Sequence, residues 1–250
     1  MIFLIPLLLS LFAQFPIGYE SAPTAPPPPT WTWIQNHYWG CWQGGCVGSN
    51  STGNCRYGGS VCTVDLTTPL QRGDLLIVMS TNYSGASSMI ASVPGETMTR
   101  CSGCYVPFTG STSLEMDVLY TVSANGGETS ITCNMTSAPN GWIGCEVMEV
   151  HWSGSGEITL DGANSAYPPC GLSIPGLTIP MKGNTDLAIQ MNWPFNTNTT
   201  GITPPWVTFQ TSDDAYVLNA TASLGTMIPT WTLPQPDPAC ALNAFAFEGH

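Results

Sequence analysis

The chain has 250 residues, of which only 8% are charged, four basic against sixteen acidic, for a formal net charge of −12. Nucleic acid is excluded as a partner, because phosphate binding requires clustered Lys and Arg and Arg56, Arg72, Arg100 and Lys182 stand far apart. Anionic membrane surfaces are disfavoured for the same reason, and a surface built mainly from Thr, Ser, Asn, Gly and Gln fits self-assembly or a glycan coat.

Ile2 to Phe15 is apolar apart from Pro6, Ser10 and Gln14. A spanning helix takes about 20 apolar residues and a secretory h-region about 7 to 15, so residues 1–22 read as a signal peptide, with small-residue cleavage positions near Ala13 or Ala22. The basic n-region is missing, which leaves an uncleaved leader as the alternative and the only route to a membrane. Residues 23–30 belong to a Pro-rich polyproline-II-type spacer, and residues 31–250 form one body within the usual size of a single β domain.

Trp31, Trp33, Trp39 and Trp42 crowd the start of that body, with Tyr38 among them. Exposed, they would be a platform for sugar rings. Buried, they would be core, as the alternation of Trp31 and Trp33 about Thr32 suggests. From there on, short β-branched or aromatic runs alternate with Gly, Pro, Asn and Ser turns, without helical periodicity, which is the pattern of a sandwich or barrel. Strands are expected at 74–80, 114–123, 129–135, 142–152, 172–181, 185–192, 206–211, 215–220 and 241–248. Met116, Val118, Tyr120 and Val122 share one face of their strand, and Glu115, Asp117, Leu119 and Thr121 the other. Leu75 to Met79 is apolar on both faces, so it lies in a sheet covered on both sides or at an assembly surface.

All ten cysteines lie beyond the leader, an even number that fits full pairing in an oxidising compartment. Spacing suggests Cys41 with Cys46, Cys55 with Cys62, Cys101 with Cys104, and Cys133 with Cys145 across a hairpin turning at 137–141. Cys170 and Cys240 remain, to tie a mid-chain loop to the last strand. A metal reading is poor, since Cys101 and Cys104 have no second C-x-x-C and His37, His151 and His250 are scattered.

Four constellations could carry chemistry. On strand 142–152, Glu149 and His151 share a face with Cys145 and Val147, while Glu146 faces the other way. With Asp117 on an adjacent strand they would be the weak catalytic candidates for a glycosidase, whose retaining form needs two carboxyls about 5 Å apart. The tryptophans are the second. Third, Asp213 and Asp214 could join Asp161 or Asp186 around Ca²⁺, although isolated Asp residues at turns more often satisfy backbone donors. Fourth, Arg72-Gly73-Asp74 spells an integrin-type tripeptide, explained as well by a turn entering a strand. Five N-x-S/T sequons, at Asn50, Asn82, Asn134, Asn198 and Asn219, are glycosylation candidates in a chain whose composition generates them by chance.

The run Gly73 to Val78, then Glu149 to Gly154 leading to Leu160-Asp161-Gly162, then Asn184 to Ile189 and the closing Ala244 to Phe247, resembles a loosely defined group of secreted bacterial β-sandwich domains of surface proteins. The resemblance covers roughly residues 57–250. It implies a single jelly-roll-like, concanavalin-like all-β sandwich, here with disulfide-braced loops, and a surface location, and it carries over no catalytic residue. The expectation is a secreted, non-enzymatic structural protein that partners itself in a fibre or coat, with no cofactor. The alternatives are a carbohydrate-binding module for surface glycans and a jelly-roll glycoside hydrolase.

Overall fold

The computed structural model describes residues 27–42, 44–49, 52–83, 89–106, 114–123, 125–135, 143–183, 185–194, 199–208, 214–220, 228–237 and 240–250. The leader, the turn expected at 137–141, Asn50, Asn198 and Asp213 lie outside these residues, as do the side chains of Trp42 and Asn82.

Eighteen strands follow one another with no helix among the described residues: β1 Trp31–Trp42, β2 Gly45–Ser49, β3 Gly53–Cys55, β4 Val61–Asp65, β5 Leu75–Tyr83, β6 Met89–Ser92, β7 Thr99–Arg100, β8 Leu114–Val122, β9 Ser130–Met135, β10 Ile143–Trp152, β11 Ile158–Ala166, β12 Ser173–Pro175, β13 Asp186–Pro194, β14 Gly201–Ile202, β15 Val207–Thr208, β16 Asp214–Ala220, β17 Thr230–Thr232 and β18 Cys240–Gly249. They form four antiparallel sheets. Two are large, β2-β1-β10-β5-β8-β7 and β11-β18-β13-β16-β15. Two are small, β3-β4-β9-β6 and β12-β17-β14.

Side-chain alternation stacks these sheets in layers. Leu75, Ile77 and Met79 of β5, Met116 and Val118 of β8 and Met148 and Val150 of β10 meet Leu187, Ile189, Phe245 and Phe247 from the other large sheet. The opposite face of β5, Leu76 and Val78, packs with Val147 against Val64 and Ile131 of the β3-β4-β9-β6 sheet. A third core lies behind the second large sheet, where Ala188, Ala215, Leu242 and Ala246 meet Ile174 and Trp231. The two-faced apolarity of Leu75 to Met79 therefore reports a strand covered on both sides, each buried side chain contributing about 2 kcal/mol. The two large sheets form the sandwich, and the small sheets plate its outer faces.

All ten cysteines are paired, as Cys41–Cys46, Cys55–Cys62, Cys101–Cys104, Cys133–Cys145 and Cys170–Cys240. Two bridges cross between layers. Cys133 of β9 is bonded to Cys145 of β10, and Cys170, beside the β12-β17-β14 sheet, is bonded to Cys240 of β18. Five disulfides are what an oxidising, extracellular type of environment sustains.

Several elements differ from the expectation. The strand expected at 172–181 is confined to Ser173–Pro175, because Pro175 and Pro180 lack a donor for the ladder. Asp161-Gly162, outside every expected strand, lies inside β11, where a bulge between Leu160 and Gly162 absorbs the extra residue. Gly162 is required there, since a Cβ would sit 2.9 Å from the Pro180 carbonyl oxygen.

Candidate functional site

The longest β1 pairing runs against β10, from Trp31 opposite Trp152 to Cys41 opposite Ile143, with an irregularity between Trp33 and Gln35. That bulge changes which side chains share a face. Before it, Trp31 and Trp33 point into the core between the large sheets. After it, Gln35 and His37 stand beside Glu149 and Val147, on the face covered by the smaller sheet.

A buried polar string results. Glu149 is 1% exposed; one of its carboxylate oxygens accepts from Gln35 Nε2 and the other from the Gln71 N–H at 2.7 Å. Gln35 Nε2 also donates to the Thr68 carbonyl, at 2.9 Å. His37 Nε2 lies 2.8 Å from Gln35 Oε1 and 3.3 Å from the Thr67 N–H. At the other end Asp74, also buried, holds His151 by Oδ1 to Nδ1 at 2.7 Å. Burial pushes the Glu149 carboxyl above its usual range; donation from Gln35 and Gln71 opposes this, and the Asp74 carboxylate adds to it. The string thus couples two carboxyls, one of which favours the protonated form.

The sequence-level candidates separate in space. Glu149 and His151 share a face as their spacing requires, but Glu149 is enclosed by its donors while His151 stays half-exposed. Asp117 is elsewhere, on β8 opposite Ser80 of β5, buried and paired with Arg100 Nη2 at 2.9 Å. Its neighbour Glu115 bonds the Tyr105 phenol, which burial first and that carboxylate second push up to about 12. A glycosidase pair needs two carboxyls flanking a space that admits a sugar, and Glu115, Asp117, Glu146 and Glu149 are all at least 96% buried. Asp74 of the Arg-Gly-Asp tripeptide is likewise buried, at 1% exposure.

Trp31, Trp33 and Trp39, the candidate tryptophans whose side chains are described, do not form one exposed platform. Trp31 is buried, its Nε1 bonded to the Thr185 carbonyl and its ring 5.1 Å from that of Trp152. Trp33 stacks on Tyr216 at 4.6 Å and 16°. Trp39 is half-buried, pressed by the backbones of Gly48 and Gly53, where a Cβ would lie 2.0 and 2.7 Å from the indole.

Of the sequons, Asn134 lies half-buried on β9, opposite Val61 and Ile90. Asn219 is exposed and has another task. Its Oδ1 accepts the Trp31 N–H at 2.7 Å, and its Nδ2 donates to the Trp31 carbonyl at 3.5 Å. It does so from φ 55°, a left-handed conformation that Asn tolerates. Asn219→Ala is expected to cost about 1–2 kcal/mol in urea unfolding, because the Trp31 backbone loses both partners.

Asp161 and Asp186 do come together, joined by Glu248 rather than by Asp214. β18 pairs with both β11 and β13, with Glu248 opposite Asp186. Asp214 is instead opposite Met191, toward the far end of β13. Asp186 is fully buried, with no donor in good geometry to either oxygen, whereas Asp161 Oδ2 accepts the N–H groups of Lys182 and Gly183. Burial first, then the adjoining Asp161 and Glu248, push Asp186 up to about 7. Among the described residues no three His, Cys, Asp or Glu side chains are grouped so as to hold a metal ion.

Sequence reasoning missed Gln35, Asn36, His37 and Thr67. Together with Trp33 and Ile34 they line a cavity of about 400 Å³ at the β1 edge. The available signal was a polar Gln-Asn-His run between aromatic residues, but its meaning depends on the bulge and on which strand lies alongside. Compared with known family models, with curated proteins and with solved structures, the chain shows no match.

Proposed function

We propose that the protein is a non-enzymatic structural component of an extracellular surface or matrix, a subunit that assembles with copies of itself. The observation that carries this reading is the covalent lamination of the stack. Cys133–Cys145 and Cys170–Cys240 each fasten an outer sheet to the large sheet beneath it. A chain long enough to bury three cores does not need bridges to fold; fastening its layers against heat, proteolysis or pulling is the use that remains. The enclosed carboxyls add support, since they serve the interior rather than an open cleft.

The surface is compatible with self-association. Val61, Ile90, Leu172 and Val207 are exposed at 45–56%, and few charges keep copies apart. Kinship with the secreted bacterial sandwich domains, jelly-roll connectivity and export by the leader belong to the same proposal. It is supported by the way the resembling runs fall on β5, β10, β11, β13 and β18, the strands of the two large sheets.

Native protein purified from its source is expected to show fibres or sheets by electron microscopy and heat-resistant oligomers on gels. A monodisperse monomer in light scattering at high concentration would overturn the reading.

A further inference from the structure

The stack ends in a small sheet on each side, and the two outer faces differ in shape. In the β3-β4-β9-β6 plate, Cys62, Cys133 and Ala91 point inward to the second core, so the residues beside them on each strand point out. Val61, Asn134 and Ile90 make one outward row across β4, β9 and β6, and Asn54, Thr63, Thr132 and Ser92 make the next. Val61 and Ile90 are 45% and 56% exposed. Two strand spacings separate them, about 10 Å, so the row is a ridge with two apolar tips.

In the β12-β17-β14 plate, Ile174 and Trp231 point inward to the third core. Ser173, Thr232 and Gly201 make the outward row, and a Cβ at Gly201 would meet nothing within 4 Å. Exposed Leu172 and Ile228 precede β12 and β17, at opposite ends of their antiparallel pair. This face is a low floor between apolar shoulders. Across the strands of both plates the one charged side chain is Asp65, whose Oδ2 accepts the Thr52 hydroxyl at 2.6 Å. In a chain of net charge −12, copies can meet through such faces without the repulsion that the acidic surface imposes elsewhere.

The disulfides bear on the same two plates. Cys133–Cys145 fastens one to the sheet beneath it and Cys170–Cys240 the other. Strands of two to six residues have little ladder of their own to resist a pull, and a fastening matters where load enters the molecule. Both plates are fastened, so both are where a neighbour pulls.

We infer that copies of the chain join head to tail, the Val61–Ile90 ridge of one seated on the Ser173, Thr232 and Gly201 floor of the next. The inference rests on the reading of the protein as a self-assembling structural subunit and supplies the contact for it. Unlike faces at opposite ends of one stack make a heterologous contact, which propagates as an open filament. Like faces fit less well, because two ridges meet tip to tip and two floors leave a gap. With packed sheets about 10 Å apart, four layers give an axial repeat of about 40 Å. Asn134 stands between the two tips, so the contact requires its sequon to carry no glycan.

The test compares the disulfide-intact protein with Ile90→Lys, which spoils the ridge, Thr232→Arg, which fills the floor, and Val122→Lys, which adds a charge at an exposed site on neither plate. Folding of each is checked by circular dichroism, with Val61→Lys and Ser173→Arg as second choices for the plates. At a concentration where the native protein forms filaments, each plate variant alone is expected to stay monomeric in sedimentation, and Val122→Lys to assemble. Mixed, the two plate variants are expected to form a heterodimer and stop there, because one still offers a ridge and the other a floor. The inference is overturned, with the structural reading intact, if native filaments form but either folded plate variant assembles as the native chain does or pairs with itself. The same follows if the mixture stays monomeric, if Val122→Lys also fails to assemble, or if assembled native chains carry glycan at Asn134. A native protein that forms no assembly overturns both.

Discussion

Asp186→Asn raises the thermal midpoint at pH 8 and leaves it nearly unchanged at pH 4. In the folded protein the Asp186 carboxyl is held at about 7, against an ordinary value of 3.8. Below about pH 4 both folded and unfolded chains carry the proton, and the site is neutral in its effect. Between about pH 4 and 7 the unfolded chain has released the proton while the folded chain retains it, so stability falls as pH rises. Above 7 the folded state must ionise a buried carboxyl beside Asp161 and Glu248, and the loss is complete. A span of about three pH units corresponds to a cost of order 4 kcal/mol, or about 10 °C for a chain of this size. The Asn amide removes the ionisation and donates to Asp161, whose Oδ2 already accepts the Lys182 and Gly183 N–H groups. The charged and titratable groups around the site are Asp161 on β11, Glu248 on β18 and Lys182 before β13, with His250 3.7 Å from Glu248. Calorimetry at pH 4 and pH 8 decides the matter: equal shifts of the variant at both would mean that ionisation of Asp186 is not what destabilises the native protein at high pH.

Glu149 acts in the same direction, its carboxyl raised chiefly by burial. With sixteen acidic side chains against four basic ones, acidification also relieves self-repulsion. Both effects favour the folded chain at mildly acidic pH, an unusual direction for a protein rich in carboxylates, whose acid denaturation is normally driven by carboxylates that are ionised and paired when native.

The parts of this architecture that were legible in the sequence are those set by period-2 alternation within one strand. Met116, Val118 and Tyr120 face one core as expected, Glu149 and His151 share a face, and the two-sided run from Leu75 to Met79 marks a strand covered on both sides. The cysteine pairs were legible because four of the five join residues no more than 12 apart. What depends on strand neighbours was not. Asp161 and Asp186 are brought together by β18, which lies between their strands although it comes last in the chain. Gln35 reaches Glu149 only because β1 pairs with β10 more than a hundred residues away, and only after a bulge resets its faces. Nor does alternation count layers. The small sheets are built from short strands, several of two to four residues, below the length at which a pattern is distinguishable from a turn.

Among the disulfides, removal of Cys170–Cys240 is expected to cost most. The bridge closes a separation of 70 residues, against 12 for Cys133–Cys145 and 3 for Cys101–Cys104. Loop-closure entropy in the unfolded chain then gives losses of about 4, 3 and 1.5 kcal/mol in that order. The Cys170→Ala/Cys240→Ala variant should unfold at distinctly lower urea than Cys101→Ala/Cys104→Ala, with Cys133→Ala/Cys145→Ala between them. The native structure adds a term to the first. Both Cys170 and Cys240 are buried in the third core, where Trp231 of β17 is fully enclosed by the β12-β17-β14 sheet and the large sheet below it. That outer sheet has three strands of two or three residues each, too few to hold its position by its own ladder. Cutting the bridge should therefore release it before the rest of the stack. Hydrogen exchange would rise first at Ser173, Ile174 and Thr230–Thr232, while β5 and β10 keep their protection. Uniform loss of protection across all four sheets would show instead that the bridge acts only through the unfolded chain, and the idea that it fastens a layer would fail.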